Sequence, residues 1–189
     1  LTKPEKACKI FFFDYNSSMS ILQNGAPVLR EIAKEVPPKD LPSQKISAII
    51  EEMRQSLSQE HDGVAIAAPQ IGYSLRIFVV SDIVFKKQKT VGPLVYINPV
   101  ITKISKDKKM LEEGCLSVRP LYGKVPRAAR VTIRAYDENG KLFERGASGL
   151  LAQIFQHETD HLDGILFIDT ASDIHEVHIE EETDHNDHE

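Results

Sequence analysis

The pentapeptide His157-Glu158-Thr159-Asp160-His161 constrains this chain more than any other stretch. Two histidines four residues apart present both imidazoles on one side when the backbone is an α-helix, where residues i and i+4 stack one turn apart. The chain is therefore expected to build itself around a helix that starts at Ser148 or Gly149 and ends near Gly164. Glu158 follows the first histidine and can reach a water on a metal shared by the pair. Two ligands and a proton carrier are the minimum set for metal-assisted hydrolysis. The same pentapeptide also occurs as ordinary solvated helix, so a third ligand decides the matter.

A catalytic site of this type wants three protein ligands and one open position. Downstream, Asp163, Asp169, Asp173 and Glu176 offer carboxylates, none marked by its context. Upstream, Cys115 stands in Glu112-Glu113-Gly114-Cys115-Leu116-Ser117, after a glycine that permits close backbone approach and before residues at a strand-like pitch. A lone cysteine with apolar neighbours is also an ordinary core residue. The other cysteine is Cys8. With one thiol free for metal there is no disulfide framework, and a reducing compartment fits best.

Three ordered motifs carry a resemblance. Gly63-Val64-Ala65-Ile66-Ala67-Ala68-Pro69-Gln70, then Glu113-Gly114-Cys115-Leu116-Ser117, then Gln156 to His161 together resemble the peptide deformylase family. Val125-Pro126-Arg127-Ala128 and Gly149-Leu150-Leu151-Ala152 also fit, and the match runs from about Ile21 to Asp169. The resemblance implies an α+β fold, with antiparallel sheets around a central C-terminal helix that carries the H-E-x-x-H motif. It implies metal ligation by Cys115, His157 and His161. One divalent ion per chain follows, ferrous iron in the cell, with Zn2+, Ni2+ or Co2+ able to substitute.

The implied reaction removes the formyl group from the N-terminal formylmethionine of a nascent peptide and releases formate. A metal-bound hydroxide attacks the formyl carbon, Glu158 is general acid and base, and the Gln70 side chain and Leu116 backbone N–H donate to the oxyanion. Val64, Ala65, Ile66, Gly114, Leu150, Gln153 and Ile154 are the implied substrate-binding residues. Leu150, Gln153 and Ile154 share the helix face of His157 by spacing. Asp160, paired with Arg127, is the implied support behind the ligands.

Two stretches depart from the family pattern. Ala65 and Ile66 stand where Gly and Leu are usual. An alanine there strains the backbone if φ is positive and narrows the cleft if the glycine serves only close approach. In Val118-Arg119-Pro120, Arg119 intervenes before the proline, which bears on selectivity past the first substrate residue. Two other functions remain open: a zinc endopeptidase, which lacks its downstream ligand here, and a catalytically degenerate relative that only binds chains or metal.

The length of 189 residues suits one core. The expected layout is an N-terminal extension over 1–18, a catalytic domain over 19–172 and a flexible acidic tail over 173–189. That tail holds eight acidic residues and no Lys or Arg, so the net charge of −5 conceals a mildly basic body. Such a body is compatible with work near the ribosomal exit tunnel, but no basic-aromatic pattern marks specific nucleic-acid recognition. No apolar run approaches membrane-spanning length. A bacterial-type cytoplasm is expected, or an organelle if the extension is a transit remnant.

Coarse patterning predicts a short helix over Pro27–Lys34 and a longer one capped by Ser43, with Ile46, Ile49, Ile50, Met53 and Leu57 on its buried face. Strands are predicted over Leu75–Val80, over Val95–Ile97 and after Pro99. A hairpin over Arg130–Tyr136 and Lys141–Arg145 turns through Glu138-Asn139-Gly140.

Overall fold

The computed structural model describes residues 20–177. The proposed 1–18 extension, Cys8 and the tail beyond Val177 lie outside the described residues.

Ser43 starts helix α1 (Gln44–Ser58) by accepting a hydrogen bond from the Ile46 N–H at 3.4 Å. Its predicted apolar face is buried. Beyond α1 the chain builds a five-stranded antiparallel sheet from β1 (Ala65–Ala67), β2 (Ile77–Val80), β3 (Val95–Ile104), β6 (Arg130–Tyr136) and β7 (Leu142–Ser148), in the order β1-β2-β3-β6-β7. A second sheet joins β4 (Lys108–Gly114), β5 (Leu121–Ala128) and β8 (Ser172–Glu176), in the order β4-β5-β8. A short helix α2 (Asp82–Lys87) follows β2.

Helix α3 (Gly149–Leu162) carries the histidine pair and is buried on most of its circumference. It needs no loop to leave β7. Gly149 has φ +58, a conformation that costs a side-chain-bearing residue about 1 kcal/mol or more, and it turns the strand straight into the helix. Strand alternation then divides the core. Phe78 and Val80 of β2 point to the α3 side, where Phe78 stacks on Tyr96 at 4.6 Å and Phe155 meets Tyr96 at 4.9 Å. Ile77 and Val79 point to the opposite face and pack with the apolar stripe of α1. Gln156 locks α3 to β5: its side-chain oxygen accepts from the Ala128 N–H at 2.9 Å and its nitrogen donates to Ala128 O at 3.1 Å.

Three expectations need correction. The Pro27–Lys34 helix is only a 3-10 turn over Pro27–Arg30, because later backbone groups are claimed elsewhere: Ala33 N–H donates to Leu162 O and Lys34 N–H to Ser74 O. The predicted break before Pro99 lies within one strand, β3. Asn98 takes φ +50 there, its side chain bonds both backbone groups of Val36, and the register with β6 shifts. The acidic tail does not begin at Asp173 as free chain. Asp173–Glu176 lie in β8, which pairs with the edge of β5 although all five of its residues are exposed. The backbone ladder holds it, with Lys124–Asp173 at 3.1 Å and His175–Glu112 at 3.3 Å.

Candidate active site

Two parts of the fold converge on one point. The residue after β4 brings in Cys115, and α3 brings in His157 and His161 one turn apart. One ligand atom from each lies within 4.8 Å of the others, and Cys115 Sγ is 3.1 Å from His161 Nε2. Sequence proximity leaves the third ligand open among four downstream carboxylates, but geometry groups the cysteine with the histidines. Gly114 makes room for this approach: a Cβ on it would sit 2.5 Å from the ring of Tyr122, its cross-strand partner, which would have to shift.

The ligands are braced from behind. Glu113, only 5% exposed, takes two bonds from Arg127: Nε donates to Oε1 at 2.7 Å and Nη2 to Oε2 at 2.8 Å. Arg127 Nη1 donates to Asp160 Oδ2 at 2.6 Å, the pair the sequence suggested. Glu113 Oε2 lies 3.0 Å from His157 Nδ1, so the carboxylate holds the proton on that nitrogen and turns Nε2 toward Cys115. Sequence alone suggests a backbone or arginine partner for Glu113 but does not place it. Its partner Arg127 lies on the next strand, so only the β4–β5 pairing reveals the link. Burial opposes its charge, but the Arg127 and His157 bonds outweigh burial and hold the Glu113 carboxyl at about 2. Burial also pushes the Cys115 thiol up; the charges and hydrogen bonds of His161 and His157 override it and bring the thiol down to about 5. Cys115 is therefore a ready thiolate ligand.

Glu158 behaves in the opposite way. Burial drives its carboxyl up to about 7 despite the two histidines nearby, and its Oε2 has no hydrogen-bond partner among the described residues.

Gln70 closes the far side. Its oxygen accepts from the Ala67 N–H at 2.8 Å, which leaves its nitrogen facing Ser117 Oγ at 3.1 Å and Cys115 Sγ at 3.7 Å. Ala67 can only donate, so the amide orientation is settled. Ser117, absent from the sequence-based set, both positions that amide and donates its backbone N–H to Cys115 Sγ at 3.4 Å. The Leu116 N–H has no acceptor among the described residues.

These residues border a cleft of about 210 Å³ lined by Val64, Ala65, Gly114, Leu116, Leu150 and Ile154. That is several times the ~30 Å³ share of one liquid water. Gln153 also lines it and donates to Glu112 O at 2.9 Å, which ties α3 to β4. Ile66 does not belong there. It is fully buried with the α1 cluster, because it alternates with Ala65 and Ala67 along β1 and points to the other face. Ala65 is extended, not at positive φ, so the strain alternative fails and its methyl simply faces the cleft. β1 is an edge strand. Val80 N–H donates to Leu94 O on the β3 side, so at the Ala65–Val80 pair the hydrogen-bonding groups of Ala65 point away from β2, toward the cleft.

Comparison with known proteins points to one family. The polypeptide deformylase family profile matches residues 18–177. A peptide deformylase of Desulforudis audaxviator is 42% identical over 158 residues, covering 82% of this chain and 94% of that protein. Peptide deformylase 1A, chloroplastic/mitochondrial, of Arabidopsis thaliana is 40% identical over 161 residues, covering 79% of this chain and 60% of that protein. A crystal structure of a class I type b peptide deformylase from Acinetobacter baumannii with Met-Ala-Ser bound is 32% identical, with a TM-score of 0.73, covering 80% of this chain and 97% of that one.

Proposed function

The chain belongs to the polypeptide deformylase family and has that family's hydrolase activity, and from that premise we propose how its own residues carry the reaction. Cys115, His157 and His161 hold one divalent transition metal, with ferrous iron the proposed resident. The observation that carries this reading is the close grouping of a readily ionised thiol and two imidazoles beside the buried Glu158, whose Oε2 has no hydrogen-bond partner among the described residues. When bound, the metal supplies a Lewis acid and a water acidified toward neutral pH.

The formyl peptide lies along the edge of β1 and pairs with the free backbone groups of Ala65. Its methionine side chain enters among Val64, Leu150 and Ile154. Glu158 takes the proton of the attacking water and passes it to the departing amine. A carboxyl held near 7 can perform both transfers at neutral pH. Gln70 Nε2 and the Leu116 N–H donate to the carbonyl oxygen as it gains charge. Gln70→Ala is expected to lower kcat by ~10²–10³ with little change in KM, the loss typical of one oxyanion donor; steady-state kinetics would show otherwise if both constants hold.

The nascent chain is the proposed substrate, met as it leaves the ribosome in a bacterial-type cytoplasm. Among the described residues no helix is long and apolar enough to cross a membrane. The reading is tested by anaerobic loading with ferrous iron and formate release from a short formylmethionyl peptide. Release is expected, and a chelator should abolish it. Full metal occupancy without formate would sink the proposal.

A further inference from the structure

One short segment holds both proposed oxyanion donors from outside the cleft. Residues 21–24 run past Gln70 and then past the turn over 115–118 that follows β4. The Leu22 N–H donates to Gln70 O at 2.8 Å, and the Asn24 N–H donates to Ser117 O at 2.7 Å. Between them, the Gln23 side-chain Nε2 donates to Leu116 O at 2.9 Å. The same nitrogen donates to Ile21 O at 3.1 Å, which holds the side chain against its own segment. Ile21 packs on the α1 cluster and anchors the segment to the core. Gln23 is exposed and does not line the cleft.

The backbone groups of the turn show why this matters. Three peptide units join Cys115 to Val118. Cys115 O accepts from the Val118 N–H at 3.0 Å. The Ser117 N–H donates to Cys115 Sγ at 3.4 Å. Leu116 O and Ser117 O are taken by Gln23 and Asn24. The Leu116 N–H alone is left without an acceptor among the described residues, and it is the group proposed to meet the substrate. Gln23 is the one side-chain donor to these carbonyls among the described residues. Leu116 O and the Ser117 N–H are opposite ends of one peptide plane. A hydrogen bond to the oxygen polarises that amide and strengthens its N–H as a donor to the thiolate. Without it the plane can pivot, and the adjoining Leu116 N–H pivots with it.

We propose that Gln23 is a positioning residue for the reaction: it clamps the Leu116–Ser117 peptide so that the Leu116 N–H stays aimed at the developing oxyanion while the Ser117 N–H stays on the Cys115 sulfur. This rests on the deformylase reading for the role of the Leu116 N–H. The segment joins two parts of the chain that are far apart in sequence, so it also sets the spacing between Gln70 and Leu116. Two of its three bonds come from backbone and persist in any variant. The third is the part a substitution can remove without touching the cleft or the ligands.

The test compares the parent with Gln23→Met, which keeps the length but loses the donor, and Gln23→Lys, which keeps an N–H donor. Steady-state kinetics on formyl-Met-Ala-Ser with the iron-loaded proteins should show kcat about tenfold lower in Gln23→Met. That is a fraction of the ~10²–10³ carried by a whole oxyanion donor. KM should hold, because Gln23 is outside the cleft, and Gln23→Lys should recover most of kcat. Amide hydrogen exchange of the zinc-loaded proteins reads the clamp directly: the Ser117 N–H should exchange about tenfold faster in Gln23→Met, with the amides of α3 unchanged. An unchanged kcat, a KM that rises as kcat falls, a loss that lysine does not recover, or an unmoved Ser117 amide overturns the clamp. Absence of formate from the parent overturns the deformylase reading instead, and the Ser117 exchange then still decides whether Gln23 holds the turn.

Discussion

Glu158→Ala will lose formate release by ~10²–10⁴-fold, the usual range for removing a general acid–base group, while folding at least as well as the parent. Both halves come from one observation. Glu158 is 4% exposed, its carboxyl is pushed up to about 7 by burial, and its Oε2 has no partner among the described residues. A buried carboxylate without such a partner costs stability, so nothing in the fold explains its presence. Removing it relieves that cost, and the melting temperature should hold or rise. Metal content should also stay near one per chain, because the three ligands are untouched. The combination of lost rate, retained metal and unchanged or raised Tm is what a proton carrier gives. A fall in Tm or in metal content matching the fall in rate would make Glu158 a structural residue. Raised to about 7 from an ordinary 4.5, the carboxyl also predicts that kcat/KM falls as pH drops below neutral, where the base is protonated.

The parts of this site that sequence made legible are those fixed by local periodicity. The i, i+4 histidines required a helix, the spacing of Leu150, Gln153 and Ile154 put them on the His157 face, and all three line the cleft with it. The hairpin turn was legible for the same reason: Gly140 takes φ +76, and Asp137 accepts from the N–H groups of Asn139 and Lys141. What depends on pairing between strands was hidden. Glu113 and Arg127 sit on neighbouring strands but in different rows of the β4–β5 register, so no fixed spacing announces their bond. β8 has no apolar alternation, because ladder hydrogen bonds and ion pairs rather than burial hold it. Ile66 is a different case. The two-residue alternation of β1 was enough to turn it away from Ala65's face, but the family motif treats the whole segment as one cleft-lining unit.

The most damaging substitution for the fold should be Arg127→Met. Its guanidinium, 6% exposed, is the hub between Glu113 and Asp160, and Glu113 in turn holds His157. Losing it leaves the Glu113 carboxylate buried without its main counter-charge. Breaking a buried pair from one side costs about 3–5 kcal/mol, which for a chain of this size is a drop of roughly 10 °C in Tm. The pH dependence gives a separate signature. In the parent the Glu113 carboxyl is held at about 2 against an ordinary 4.5, so its stabilising effect is complete above that ordinary value and is lost as pH falls toward 2. In the variant burial prevails, the carboxyl titrates higher, and acid unfolding should begin at a higher pH. A double variant, Glu113→Leu with Arg127→Met, should recover much of the Tm, since a buried pair can be replaced by apolar side chains at little net cost. It should not recover the metal. Without the carboxylate on Nδ1, His157 loses the group that fixes its ring and tautomer, and affinity should remain ~10–100-fold weaker. Recovered stability with weakened metal binding would separate the two roles of this cluster; recovery of both would reduce Glu113 and Arg127 to packing.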